Sequence, residues 1–112
     1  MTTEEFQKSV LRTANPSTDI IPYGKLVNGA LGLAGESGEV CDHVKKFLYQ
    51  GHELDYDHVI EELGDVAYYV CLAAMGCGVT FDEVLLRNVE KLERRYPNGF
   101  EVERSLHREE GK

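Results

Sequence analysis

Apolar side chains recur every three to four residues along four stretches of this chain, a spacing that restricts each stretch to a helix with one buried face. The stretches run from residue 2 to 14, 25 to 49, 56 to 76 and 81 to 96. No stretch alternates between apolar and polar residues for long enough to predict a strand. The sequence therefore predicts an all-α helical bundle.

The 112 residues are enough for one domain, so we expect residues 1–112 to form a single unit. Thr2 and Glu5 form a capping-box pattern at the start of the first helix. Residues 15–22 contain two prolines and separate the first helix from the second. Residues 101–112 are mostly polar, and we expect this tail to fray.

The charge balance is acidic, with 20 Asp and Glu residues against 12 Lys and Arg residues. Nucleic acid requires a basic face, so we expect no nucleic-acid partner. No apolar run is long enough to span a membrane, and the N-terminus lacks the pattern of a signal peptide. Three cysteines without C-x-x-C spacing predict reduced thiols. We therefore expect a cytoplasmic protein with no membrane contact.

Two pairs of carboxylates occupy matching places on the two most apolar predicted helices. Glu36 and Glu39 are on the second helix, and Glu62 and Asp65 are on the third. Residues three apart project from the same side of a helix, and both pairs flank the apolar stripe of their helix at the same offset. If the two stripes pack together, all four carboxylates border one cleft. Their repulsion there calls for a divalent cation such as Mg²⁺, unless they are merely solvated surface charges.

Glycines recur every three residues on the second predicted helix, at Gly29, Gly32, Gly35 and Gly38. Each costs about 1 kcal/mol relative to alanine inside a helix. Either another backbone or a bulky ligand comes close at these positions, or the stretch is partly non-helical.

Basic and amide side chains form a candidate phosphate-binding set. Lys46 lies on the carboxylate side of the second helix. Asn88, Lys91 and Arg95 lie within about 60° of one another on the fourth helix. Asn88 is close to the apolar stripe and is expected to be partly buried. The alternative for Lys91 and Arg95 is a structural salt bridge to a neighbouring helix.

The third predicted helix is apolar almost all round in its second half, because Tyr68, Leu72 and Met75 lie opposite its stripe. A helix that is apolar on every side is normally buried, and a chain this short has little else with which to cover it. We therefore expect a homo-oligomer.

Three segments together resemble a known family: residues 35–40 (GESGEV), 61–66 (EELGDV) and 88–97 (NVEKLERRYP). They are similar to the MazG-like nucleoside triphosphate pyrophosphohydrolases. The resemblance covers about residues 26–100. It departs from the family at Gly35, because members often have two adjacent glutamates at the start of the first motif.

The resemblance implies an all-α fold whose active-site four-helix bundle is often completed by a second subunit, as a homodimer or homotetramer. It implies attack by water on a nucleoside triphosphate, which yields the monophosphate and pyrophosphate. It implies Mg²⁺, or Mn²⁺ in its place, held by Glu36, Glu39, Glu62 and Asp65. It also implies phosphate binding by residues like Lys46, Asn88, Lys91 and Arg95.

The proton acceptor and the activity itself stay open between alternatives. Glu39 and Glu61 are both candidates for the catalytic base. One alternative to the hydrolase is a non-catalytic helical interaction module. Another is a redox di-metal carboxylate bundle, although such sites require Glu-x-x-His on the central helices and neither carboxylate pair has it.

Overall fold

The regular structure is helical in the computed structural model, which describes residues 1–108. It comprises α1 (Thr3–Thr13), a 3₁₀ helix (Pro16–Asp19), α2 (Gly24–Tyr49), α3 (Tyr56–Gly76), α4 (Phe81–Arg95) and α5 (Val102–Leu106). The all-α prediction is confirmed, and α1 to α4 have nearly their predicted bounds. These bounds follow from local signals. Thr2 Oγ1 accepts a hydrogen bond from the backbone N–H of Glu5 at 3.1 Å, and Asp55 Oδ1 accepts one from that of His58 at 3.2 Å.

The chain divides into two compact units, Met1–Phe81 and a second that begins at Asp82. The first unit contains α1, the antiparallel hairpin of α2 and α3, and the first residue of α4. The second contains the rest of α4 together with α5. Within residues 1–108, no single helix is long and apolar enough to cross a membrane. By length and composition alone, α3 and α4 together would qualify as a span that is bent at the break between them.

The core of the first unit lies between α1 and α3. Val10, Cys71 and Leu72 are fully buried, and burial raises the pKa of the Cys71 thiol. The hydroxyl groups of Thr13 and Tyr68 join the two helices by a hydrogen bond of 3.0 Å. Burial of aliphatic side chains by α1 therefore stabilises the half of α3 that leads to Gly76.

This core overturns the argument that α3 needs a second copy of the chain to cover its apolar second half. The sequence places Tyr68, Leu72 and Met75 opposite the apolar stripe of α3 and predicts that this short chain has little else with which to cover them. In the structure Leu72 is fully buried, and Tyr68 and Met75 contact the same core cluster together with Phe6 of α1. The first helix of the same chain thus provides this cover.

The apolar stripes of α2 and α3 do not pack on each other along their whole length. Cys71 and Ala74 in the second half of α3 are buried. Ile60 and Leu63 of α3 are 63% and 53% exposed, and Leu48 of α2 is 61% exposed. The prediction that the two stripes meet is wrong for these exposed residues. The helices contact each other along their small residues, and the larger aliphatic side chains are left beside the contact.

Glycines explain why the contact forms there. A Cβ atom on Gly29 would lie 2.6 Å from the backbone nitrogen of Ala73, and one on Gly32 would collide with the Tyr69 ring. These two glycines allow the backbones of α2 and α3 to approach closely, as predicted, and the stretch is helical throughout. Gly35 and Gly38 face open space, because no atom of another described element lies within 4 Å of where their Cβ atoms would be.

The tail forms a short helix where the sequence predicts fraying. Arg104 of α5 donates hydrogen bonds to the backbone carbonyls of Arg95 at 2.5 Å and Arg94 at 3.2 Å. It thereby satisfies carbonyl groups that the C-terminus of α4 leaves without helical partners. The last part of the predicted tail, residues 109–112, lies outside the described residues.

Candidate active site

Three carboxylates meet where the middle of α2 faces the first half of α3. One oxygen atom from each of Glu36, Glu62 and Asp65 lies within 4.8 Å of the other two. Glu62 and Asp65 are three apart and share one side of α3. Glu36 is one turn beyond Gly32 on α2, so it follows the line of close contact between the two helices. The helix pairing itself therefore assembles this cluster.

The protonation of the cluster reflects its crowding. Hydrogen bonding to the Glu62 carboxylate raises the pKa of Glu36, and partial burial and the negative charge of Glu62 act in the same direction. Oε2 of Glu62 is buried and has no hydrogen-bond partner among residues 1–108. A buried acceptor without a donor is costly, and a hard cation satisfies carboxylate oxygens of this kind. These three residues therefore suit a divalent ion such as Mg²⁺.

The two other acidic residues of the prediction lie at the rim. Glu39 is exposed and lies outside the group of three, although its charge contributes to raising the pKa of Lys46. Glu61 is also exposed, as expected for a residue that points away from its neighbour Glu62. That Glu39 is a metal ligand, and that either residue is the base, stay predictions.

Lys46 is paired with a carboxylate of its own helix. Its Nζ donates to Oδ2 of Asp42 at 2.8 Å, which raises the pKa of Lys46 and lowers that of Asp42. Lys46 also lines an open cleft of about 550 Å³ with His43, His52 and residues 53–57, which run from the connector into the start of α3. A phosphate group that approaches this cleft would meet a lysine already paired with the Asp42 carboxylate.

The sequence analysis did not predict the contact between His58 and His43. Nε2 of His58 lies 3.7 Å from Oε1 of Glu62, and its ring lies against that of His43, with centroids 5.0 Å apart. The signal for His58 is present in the sequence, because it stands four residues before Glu62 on a predicted helix. Nothing in the spacing of residues indicates the contact with His43, which depends on how α2 and α3 pair.

The predicted phosphate-binding row lies on α4, in the second unit. Asn88, Lys91 and Arg95 follow one another at helical spacing along it. Lys91 and Arg95 are half-buried, whereas Asn88 is exposed, so the prediction that Asn88 is partly buried is wrong. The apolar residues beside it are themselves open, with Val89 50% exposed, which is why closeness to the stripe does not bury Asn88.

Comparison with known proteins identifies one family. A sequence model of the MazG nucleotide pyrophosphohydrolase domain matches residues 28–100, which include the carboxylate cluster and the row on α4. The Gene 37 protein of Mycobacterium phage L5 is 37% identical over 73 residues, which are 62% of this chain and 64% of that protein. The chain thus spans less than two thirds of the length of this relative. No solved structure matches the chain significantly.

Proposed function

Because this chain belongs to the MazG nucleotide pyrophosphohydrolase family, we propose that it hydrolyses nucleoside triphosphates to the monophosphate and pyrophosphate with Mg²⁺ as cofactor. Ribonucleotides and deoxyribonucleotides are both included. Mn²⁺ is expected to replace Mg²⁺, because both ions accept oxygen ligands.

The observation that carries this proposal is the cluster of Glu36, Glu62 and Asp65. Their oxygens are close enough to share one ion, and the buried Oε2 of Glu62 lacks any other partner among the described residues. When bound, Mg²⁺ supplies the positive charge that allows phosphate oxygens to approach these carboxylates and lowers the pKa of a nearby water.

The acidic residues have two distinct tasks in this proposal. Glu36, Glu62 and Asp65 hold the cation, and Glu39 joins them from the next turn of α2. Glu39 or Glu61, both of which are exposed, accepts the proton of the attacking water. The bond that breaks joins the α-phosphorus to the oxygen that bridges the α and β phosphates, and pyrophosphate leaves with that oxygen.

The basic residues neutralise the phosphates. Lys46 exchanges Asp42 for a phosphate oxygen. In the second unit, Lys91, Arg95 and the Asn88 amide are proposed as a further set of phosphate-binding groups. Arginine is suited to this task because its guanidinium group donates two parallel hydrogen bonds to a phosphate.

We also propose that the protein acts as a homodimer or homotetramer in which a second copy completes the active-site bundle. The open stripes of α2 and α3 support this, since large side chains such as Ile60, Leu63 and Leu48 are more than half exposed. Large apolar side chains left exposed along both helices suit a contact between copies.

The test is a nucleotide screen in which pyrophosphate and phosphate are quantified separately, with and without Mg²⁺. We expect Mg²⁺-dependent release of pyrophosphate from at least one nucleoside triphosphate. Glu62→Gln and Asp65→Asn should each lower the rate by about 100-fold or more, because each removes a charged ligand. Glu4→Gln, on the exposed surface of α1, serves as the matched control and should leave the rate unchanged.

Two outcomes would contradict the proposal. Release of single phosphates without pyrophosphate would place the cleavage at another bond. Absence of any hydrolysis across the screen, with folded protein and added Mg²⁺ or Mn²⁺, would favour the non-catalytic interaction module.

A further inference from the structure

His58 stands beside the carboxylate cluster on α3, one helical turn before Glu62. Its Nε2 is 3.7 Å from Oε1 of Glu62, slightly beyond hydrogen-bond distance. Oε2, the other oxygen of the same carboxylate, is buried without a hydrogen-bond partner in the described part of the chain. One oxygen of Glu62 thus faces an imidazole nitrogen, and the other is left for a ligand.

Two neighbouring groups hold the His58 residue in place. Its backbone N–H donates to Oδ1 of Asp55 at 3.2 Å, the hydrogen bond that caps α3. Its ring lies against the ring of His43, tilted by 42°. His43 is itself fixed across the connector, because its Nε2 accepts a hydrogen bond from the backbone N–H of Asp55 at 3.1 Å. The imidazole of His58 is therefore restrained by its contact with the His43 ring.

We propose that His58 is a positioning residue for the cation site, whose Nε2–H donates to Oε1 of Glu62 and turns Oε2 toward the ion. This inference rests on the proposed function, since it takes Glu62 to be a ligand. The distance of 3.7 Å closes to a hydrogen bond when the carboxylate rotates onto its ligand. Outer hydrogen bonds of this kind fix the orientation of metal-binding carboxylates, and their loss typically lowers metal affinity about 10–100-fold.

The test is a direct titration of the full chain with Mn²⁺ in the absence of nucleotide, followed by electron paramagnetic resonance of the free ion. His58→Phe keeps a ring against His43 but removes the donor, and we expect it to weaken Mn²⁺ binding about 10-fold or more. His58→Gln keeps an N–H donor at a similar distance along the side chain, and we expect it to retain most of the affinity.

A matched control is present on α5, where Nε2 of His107 lies 3.5 Å from Oε1 of Glu103 at the same spacing of four residues. His107→Phe should leave Mn²⁺ binding unchanged. Thermal unfolding with EDTA present confirms that each variant is folded. Should His58→Phe not fold, His58→Leu takes its place with the same expectation.

The possible failures are distinguishable. Equal Mn²⁺ affinity of wild type and His58→Phe, together with loss of affinity in Glu62→Gln, would overturn the role of His58 and leave the proposed function intact. Equal loss in His58→Phe and His58→Gln would show that an N–H donor at this position does not restore the site, which also overturns it. Equal affinity of wild type and Glu62→Gln would remove the cation site, and both proposals with it.

Discussion

Glu36 is the carboxyl group of the cluster whose pKa shows the effect of the crowding. Its pKa is raised by a hydrogen bond to the Glu62 carboxylate, by burial and by the charge of Glu62. A group whose pKa is higher in the folded than in the unfolded protein stabilises the fold below its unfolded pKa, and this contribution is lost as the pH rises through the folded pKa. Without a cation, neutral pH therefore weakens the fold at this position.

Glu36→Gln should consequently raise the melting temperature of the metal-free protein at neutral pH and flatten its decline as the pH rises above the acidic range. Mg²⁺ should stabilise the wild type at neutral pH and have little effect on this variant, because one ligand is missing. Thermal unfolding in EDTA and in Mg²⁺ across a pH series measures both effects, with Glu53→Gln as an exposed control. A Glu36→Gln protein that melts below wild type in EDTA at neutral pH would show that repulsion is not the dominant effect.

Some contacts of single residues in the site can be predicted from the sequence, and others cannot. Helical spacing places Glu36, Glu62 and Asp65 each on a definite side of its helix. Their clustering also requires that these sides of α2 and α3 face each other, which spacing does not predict. The ion pair of Lys46 with Asp42 follows the same rule at a spacing of four, although the sequence analysis did not use it. The contact of His43 with His58 depends on the connector between two helices, where no periodicity applies.

The pairing of α2 with α3 is the element contact on which the site depends. Periodicity predicts both helices nearly to the residue, because caps and glycines mark their ends. It does not predict which sides meet. An apolar stripe indicates burial without naming the partner, and the small residues of α2 permit a closer contact than the stripe does. The site therefore forms along the glycine side of α2, and part of each stripe is left exposed.

Two alanine substitutions on α2 should have opposite effects on stability. Gly29→Ala should destabilise the protein by about 1–3 kcal/mol, because its Cβ meets the backbone of Ala73 at 2.6 Å, which cannot move aside cheaply. Gly35→Ala should stabilise it by about 0.5–1 kcal/mol, since its Cβ faces open space within a helix.

Chemical denaturation measures both changes against the wild type under the same conditions. If Gly29→Ala proves neutral, the close contact of α2 with α3 is not present in solution. If Gly35→Ala is strongly destabilising, another surface packs against that position, as expected only if a second copy reaches the site beside Glu36.

Many large apolar side chains are exposed in the described part of the chain, among them Leu48, Ile60 and Leu63. Burial of that surface between copies would stabilise the fold, since each buried side chain contributes about 1.5–3 kcal/mol. Analytical ultracentrifugation should therefore find a dimer or tetramer. Ile60→Lys, in the open stripe of α3, should shift the protein toward monomer.

Tyr49→Lys is the matched control for that experiment, because Tyr49 is 80% exposed and lies on a different side of α2 from the apolar stripe of that helix. It should leave the oligomeric state unchanged. A wild-type protein that sediments as a monomer, or an Ile60→Lys protein of unchanged size, would show that the stripes are not an interface between copies.

The decisive observation is whether one cation binds between α2 and α3. Crystals grown with Mn²⁺ and a nucleotide that resists cleavage between its α and β phosphates would reveal the ion by its anomalous scattering. We expect an anomalous peak in contact with oxygens of Glu36, Glu62 and Asp65 and with the phosphates of the nucleotide. A bound nucleotide with no anomalous peak among these carboxylates would contradict the proposed site.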